Sequence, residues 1–410
     1  MTDPVLVVDV GTSSVRVAVV GADARLRAEW RESLLPSSPA PGQVEFDAAQ
    51  LGEAVRRMAA TALAEQGPVA AVGIANQRGS TVLWDRASGA PVGPAIGWQD
   101  LRTVGRCLEL RAEGLRVGPN ESATKLEWLL DRADPERTRD LCFGTVDSWV
   151  AWVLSDGALH VTDASNAAVT GLRRRAGDDW SETALAALRV PRHVLPAVVD
   201  SSGVLGVAAA LPGRPPVAGI LGDQQASLLG QACVEPGQAK ITFGTGAMLD
   251  VVVGADRPGF DRGPAGTFTI ITRRVAGQVT WGVEAIALAA GTNIEWLRDD
   301  LGLIPDAASS HTLAAEVENT GDVWFVPALL GLGTPSWDYG ARGTLLGITR
   351  GTSAAQIVRA VLVGVAQRGA DLVDAATVDA ATTIGVLRVD GGMTSNPTFL
   401  QALADAAGRP

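Results

Sequence analysis

Cysteine is scarce in this 410-residue chain: Cys107, Cys142 and Cys233 stand far apart, and no C-x-x-C pair occurs. A disulfide framework or a thiolate metal centre has nothing to build on, and a reducing, cytoplasmic setting is the simpler expectation. Histidine is equally rare, and none of His160, His193 and His311 has another plausible ligand beside it. Basic charge is in deficit: the formal net charge is −11. Such a field repels nucleic acid and anionic membrane surfaces. It leaves room for a phosphorylated ligand, because a nest of backbone N–H groups can hold phosphate in an acidic protein. No apolar run reaches the ~18–20 residues of a spanning helix. The start, MTDPVLVVDVG, is interrupted by Asp3 and Asp9 and reads as a buried strand rather than a signal peptide. There is no G-x-x-x-x-G-K-[ST] loop and no dinucleotide fingerprint.

What is present is the composition of a folded α/β protein: 47% hydrophobic residues, 47 Gly and 22 Pro. A single core stops growing near ~250–300 residues, so two domains are expected. Val5–Val10, the turn Gly11-Thr12-Ser13-Ser14 and Val15–Val20 read as strand, turn, strand, followed by a third strand at Arg27–Ser33. Asp47 is placed to cap a helix running to about Glu65 with Leu51, Val55 and Met58 on one face. Val69–Ala75 is a buried strand ending in Asn76-Gln77-Arg78. Helical patterns follow at Thr124–Leu130, Val146–Leu154 and Trp180–Leu188. Val217–Leu221 is again an apolar strand, then comes a helix at Gln224–Gln231, then strands at Lys240 and at Met248–Val253 around a second Gly/Thr turn. The later part echoes the earlier one, which places the boundary near 215–220 and the domains at 1–218 and 219–410.

Five constellations carry candidate chemistry. Asp9-Val10-Gly11-Thr12-Ser13-Ser14 offers hydroxyl and amide donors to phosphate, with Asp9 placed to orient Mg²⁺ through water; a plain capped hairpin turn is the alternative. Gly244-Thr245-Gly246, before Ala247-Met248, repeats the device, and two such turns point to a phosphate chain held from both sides. Gly222-Asp223-Gln224-Gln225 lies at a strand end, where α/β ligand sites gather; Asp223 suits a general base for phosphoryl transfer, or a helix cap. Asn76-Gln77-Arg78 with Trp98-Gln99-Asp100 suits a polyhydroxylated ligand, Arg78 offering a donor fork and Trp98 a flat apolar face, though core packing is the bland reading for Trp98. In Val389-Asp390-Gly391-Gly392-Met393-Thr394-Ser395-Asn396, two glycines permit close approach to a flat ligand, and Asn396 is a hydrogen-bonding or capping residue.

Taken together, the stretches DVGTSSVRVAVV, NQRGSTVLWDRASG, AIGWQDLRT, LCFGTVDSWVAWVL, HVTDASNAA, GDQQASLLGQACVEPGQAK, GTNIEWLRD, PALLGLGTPSWDYGARGTLLGITRG and LRVDGGMTSNP resemble the FGGY carbohydrate kinases, and within them the glycerol kinase branch. They cover nearly the whole chain in order. The resemblance implies two actin/Hsp70-like (ribonuclease H-like) α/β domains facing a central nucleotide cleft. It implies ATP and Mg²⁺ as cofactors and a small polyol or sugar as substrate. A homodimer is expected on base rate alone. By motif position Asp223 is the base; Asp9 and Asp223 serve the metal; Gly11, Thr12, Ser13, Ser14, Gly244, Thr245 and Gly246 surround the phosphates. Gly291, Glu295, Gly391, Gly392 and Asn396 lie along the nucleotide, while Arg78, Trp98, Asp223, Gln224 and Met248 meet the polyol.

Departures fall in the polyol pocket. Gly79 stands where glycerol kinases follow NQR with Glu, Asn120 where an aromatic is usual, and Met248 where another aromatic is usual. The expectation is an enlarged pocket with a looser grip on a three-carbon polyol, with room for a larger polyol or ketose, and Arg78 argues against the xylulose branch. Val363 and Arg368 replace the usual Glu and Gln. Related kinases continue beyond the motif that here precedes Pro410; the expectation is either that the chain given is clipped or disordered beyond that point or that the second domain is naturally short at its end. The functional alternatives are a kinase-fold sensor or scaffold without catalysis and, with less support, an actin-like polymer.

Overall fold

The computed structural model of the chain describes residues 3–173 and 179–410. Internal contacts divide it into two compact units: Met1–Ala226 with Arg273–Val279, and Ser227–Thr272 with Thr280–Pro410.

The first unit begins with β1 (Val5–Val10), β2 (Ser14–Val20) and β3 (Leu26–Ser33), an antiparallel meander as the β-branched runs and tight turns require. Helix α1 (Ala48–Gln66) follows, capped by Asp47, whose carboxylate accepts the Ala49 and Gln50 amides. Its Leu51, Val55 and Met58 join Val15, Val17 and Val19 in one core. Strand β4 (Ala71–Asn76) pairs parallel to β1, placing Asn76 beside Val10. Beyond it come α2 (Ala123–Ala133), α3 (Val146–Leu154) and the five-residue α4 (Ala164–Ala168). The α3 indoles of Trp149 and Trp152 pack at 5.2 and 5.6 Å from that of Trp84. Strands β5 (Ser202–Val207) and β6 (Pro216–Gly222) complete the sheet, in the order β5-β6-β4-β1-β2-β3. Strand β6 is parallel to β4, with Gly222 beside Asn76. Three parallel strands therefore end side by side, and the chain leaves them at Gly11, Gln77 and Asp223. Asp223 opens α5 (Asp223–Gly230).

The second unit repeats the pattern. Strands β7 (Ala239–Phe243) and β8 (Ala247–Gly254) form an antiparallel pair around Gly244-Thr245-Gly246. Strands β9 (Phe268–Val275) and β10 (Gln278–Ala287) follow, then the short α6 (Gly291–Glu295) and the 26-residue α7 (Ala354–Asp379), which opens on a Ser353/Gln356 capping box. Strand β11 (Leu387–Asp390) pairs parallel to β7, and α8 (Pro397–Ala407) closes the unit. Phe243 and Phe399 meet edge to face at 4.7 Å in its core. The turn after β7 and Gly391-Gly392 after β11 thus leave adjacent parallel strands, as Gly11 and Gln77 do in the first unit. Within this sheet a buried ion pair joins neighbouring strands: Lys240 Nζ lies 2.8 Å from Asp250 Oδ2 and donates to Thr242 Oγ1, also at 2.8 Å. Among the described residues, no helix is long and apolar enough to cross a membrane.

Candidate active site

Parallel pairing explains why residues far apart in sequence share one end of the first unit's sheet. The carboxyl ends of β1, β4 and β6 deliver the Gly11–Ser14 turn, Arg78 and Asp223 to that end. Arg78 Nε stands 3.8 Å from Asp223 Oδ1, and the Asp223 carboxylate accepts the Gln224 amide at 2.7 Å. The Asp223 side chain keeps 38% exposure, whereas that of Arg78 keeps 11%. A half-open carboxylate held by a sheltered guanidinium is positioned without being sealed off. Asp9 lies near enough for its charge to be felt. Burial holds the Asp9 carboxyl above its ordinary range; Arg16, 3.6 Å away, pulls it back, and the negative charge of Asp223 pushes it up again.

Trp98 is pinned on every polar atom. Its amide donates to Ser80 Oγ at 3.0 Å and its indole Nε1 donates to Thr12 Oγ1 at 3.2 Å. Its carbonyl accepts from Lys125 Nζ at 3.0 Å and from Asn120 Nδ2 at 3.2 Å. Ser80 Oγ in turn donates to Gln77 Oε1, and Gln77 Nε2 donates to the Gly11 carbonyl. A closed circuit results: Gly11, Gln77, Ser80, Trp98, Thr12. The candidate phosphate turn and the candidate polyol wall are one hydrogen-bonded body. Trp98 is thereby tied by its indole to a hydroxyl of the turn.

Lys125 is wholly buried beneath this wall. Burial pushes its ammonium down to about 7, against the opposing pull of Asp100, Cys107 and Glu121. Gly79 sits at φ +74°, and a Cβ there would lie 2.6 Å from the Asn120 carbonyl oxygen. The missing side chain at 79 therefore does not open space at that point. The Asn120 carbonyl occupies it, so no enlargement arises at that point.

In the second unit Gly244 and Thr245 are exposed at the end of β7, with Gly391 and Gly392 exposed beside them at the end of β11. Gly291 donates its amide to the Gly244 carbonyl at 2.9 Å, and a Cβ at 291 would reach that oxygen at 2.6 Å. The turn and the start of α6 are thus packed backbone to backbone, a cradle only glycine permits. Glu295 is exposed at the end of α6, and Met248 is half-buried on β8. Asn396 is committed elsewhere: its Oδ1 accepts the Phe399 amide as the cap of α8, and its Nδ2 donates to Ser310.

Two family models match, the N-terminal domain of the FGGY family of carbohydrate kinases over residues 4–230 and its C-terminal domain over residues 239–410. The chain belongs to the FGGY family of carbohydrate kinases. Glycerol kinase of Trichlorobacter lovleyi is 43% identical over 99% of this chain and 85% of its own length. Glycerol kinase of Aromatoleum aromaticum is 44% identical with the same coverage. Among solved structures, Plasmodium falciparum glycerol kinase with ADP superimposes with a TM-score of 0.91 at 27% identity, over all of this chain and 85% of that one. The α/β fold is therefore that of the FGGY kinases.

Fit to the nucleotide and metal of such a kinase is testable on the residues themselves. The exposed Gly244-Thr245 turn, with nothing closer than 4.0 Å to a Cβ at 244, leaves its backbone open to a phosphate chain. For a cation, Asp9 and Asp223 are close enough to feel each other's charge, and no cluster of three or more acidic, His or Cys ligands occurs among the described residues. Two carboxylates are compatible with Mg²⁺, which takes one or two and completes its shell with phosphate and water. Sequence reading of this FGGY kinase missed the roles of Ser80 and Lys125. The available signal was Lys125 itself, a lone charge on the buried stripe of Ser122, Leu126 and Leu129.

Proposed function

We propose that this chain transfers the γ-phosphoryl group of ATP to a hydroxyl of glycerol or a closely related polyol. Arg78 and Gln224 donate to the polyol hydroxyls, and Trp98 covers its C–H face. Asp223 takes the proton of the attacking hydroxyl as its oxygen bonds to phosphorus and ADP leaves. Thr12, Ser13 and Thr245 donate to the phosphates; Gly391 and Gly392 leave room along the nucleotide. Asp9 and Asp223 would hold Mg²⁺, which would supply charge to offset that of the phosphates. The observation that carries this reading is the Arg78–Asp223 ion pair standing beside a Trp98 wall bonded to the Thr12 turn. Similarity to the two bacterial glycerol kinases supports the choice of a three-carbon polyol.

A second reading keeps the chemistry and changes the substrate. Gly79 and Asn120 present backbone and amide in place of a carboxylate and a ring, and this loss of charge, with no added space at 79, favours a larger polyol or a ketose whose extra hydroxyls meet neutral partners.

Purified chain with Mg-ATP is assayed against glycerol, C4–C6 polyols and ketoses. Glycerol-dependent ADP release is expected, with loss of ~10²–10⁴-fold in Asp223→Asn, the scale of general-base help. Absence of ADP release with every substrate sinks the kinase reading; full rate in Asp223→Asn sinks the base assignment.

A further inference from the structure

Between α3 and β5 lies a buried polar cluster that the reaction outlined above does not use. Asp163, at the end of the short strand Val161–Asp163, caps α4 through the Ser165 and Asn166 amides. Its carboxylate also accepts from Ser165 Oγ at 2.8 Å, Asn166 Nδ2 at 2.9 Å and Ser201 Oγ at 2.7 Å. Five donors saturate it, so the cluster is rigid and satisfied.

Two side chains leave this cluster for the strand ends. Ser165 Oγ accepts the Gly222 amide at 3.1 Å, one residue before Asp223. Asn166 forms a reciprocal pair with Asn76: Asn76 Nδ2 donates to Asn166 Oδ1 at 2.8 Å, and Asn166 Nδ2 donates back to Asn76 Oδ1 at 3.1 Å. Asn76 Nδ2 further donates to the Gln77 carbonyl at 2.8 Å, one residue before Arg78. Asn76, Asp163, Ser165 and Asn166 are all fully buried. A helix cap requires none of these outward bonds. Water has no access to replace them, so these side chains hold Gly222 and, together with the bond from the Gln77 amide to the Val10 carbonyl at 2.7 Å, the peptide at Gln77.

We propose that Asp163, Ser165 and Asn166 form a clamp of positioning residues that sets Asp223 against Arg78. The clamp rests on the kinase reading for its purpose, but its geometry stands within one unit. It has two arms. The Ser165 arm fixes the peptide entering the base, and the Asn166–Asn76 arm fixes the peptide entering the substrate-binding guanidinium. Strand ends are where ladder bonding stops, and a shift there passes directly to the next residue. A misplacement on the order of 1 Å can cost ~10²-fold in rate.

The arms give different signatures, which a general loss of stability would not. Ser165→Ala is expected to lower kcat ~10–100-fold with little change in KM for the polyol, because it displaces the base. Asn76→Ala is expected to raise KM for the polyol ~10-fold or more with a smaller effect on kcat. Ser165→Thr, which keeps the oxygen, recovers most of the Ser165→Ala loss. Hydrogen exchange of the full chain supplies a readout independent of turnover: the 216–226 segment exchanges faster in Ser165→Ala, and the 71–80 segment in Asn76→Ala. Equal losses in kcat and KM that follow the fall in Tm, or wild-type kinetics with unchanged exchange, overturn the clamp. If either variant fails to fold, the other arm and the exchange of its segment decide. If the wild-type chain turns over no polyol, the kinase reading fails while exchange still judges the clamp. If Asp223→Asn is dead and both clamp variants match wild type in rate and exchange, the clamp alone fails.

Discussion

Gly79 shows how a single residue takes its meaning from a neighbour forty positions away. At φ +74° and with the Asn120 carbonyl 2.6 Å from any Cβ, only glycine fits. Gly79→Ala is expected to destabilise the chain by ~1–3 kcal/mol, the usual cost of a strained backbone site, read as a lower urea midpoint, and to raise KM for the polyol by moving Asn120 and Trp98. An unchanged midpoint and KM would show that the loop yields freely. Lys125 makes a second test at this scale. Its proton affinity is lowered in the folded chain to about 7, against ~10.4 in the unfolded chain. Between those values the unfolded chain binds the proton and the folded chain does not. Stability from this residue therefore rises as pH increases across that window and is flat below about 7, where both states are charged. The difference in unfolding free energy between wild type and Lys125→Met, measured from pH 7 to 9, is expected to grow in favour of wild type. A difference independent of pH would show that Lys125 is not forced neutral. In the sequence, the placing of Arg78 and Asp223 just beyond strand ends was legible, and the structure has them there. The circuit through Gln77 and Ser80 was not, because its bonds join three separate segments of the chain, at 11–12, 77–80 and 98.

At the scale of elements, most of the framework followed from pattern. The β1–β2 hairpin, the Asp47 cap and the Val146–Leu154 helix lie where β-branched runs, capping chemistry and apolar spacing put them. Asp47→Ala is expected to cost ~1 kcal/mol, the worth of an N-cap, as a shift in urea midpoint. The β7–β8 pair carries a sharper test. Lys240→Met strands Asp250 in the buried sheet, and removal of one partner of a buried pair typically costs ~3–5 kcal/mol. The double change Lys240→Met/Asp250→Leu is expected to recover most of that loss. If the double variant is no better than the single one, the pair's surroundings, including Glu284 on the next strand, carry the cost. Local pattern did not reveal this pair, because alternation alone places charged residues on a solvated face. The covering of that face is a tertiary fact.

For the whole molecule, the expectation concerns what metal and nucleotide do to it. Asp9 and Asp223 are the two carboxylates proposed to serve a cation, so metal is expected to act on turnover rather than on the fold. EDTA is expected to leave the Tm of the nucleotide-free chain unchanged while abolishing polyol-dependent ADP release, and excess Mg²⁺ restores it. MgADP is expected to raise Tm by mass action, worth ~2.7 kcal/mol at a hundred times Kd. A fall in Tm on EDTA alone would reveal a structural metal. The amino-acid order by itself determined that this chain is an α/β protein, where its strand–turn–strand devices lie and which family it joins, because these rest on local propensity and on motifs contiguous in sequence. Tertiary structure alone decided that Trp98 is welded to the Thr12 turn, that Asn120 closes the space at Gly79, and that Ser165 and Asn166 grip the peptides before Asp223 and Arg78. Each of these is a contact between segments dozens of residues apart, brought together only when parallel strands align their ends.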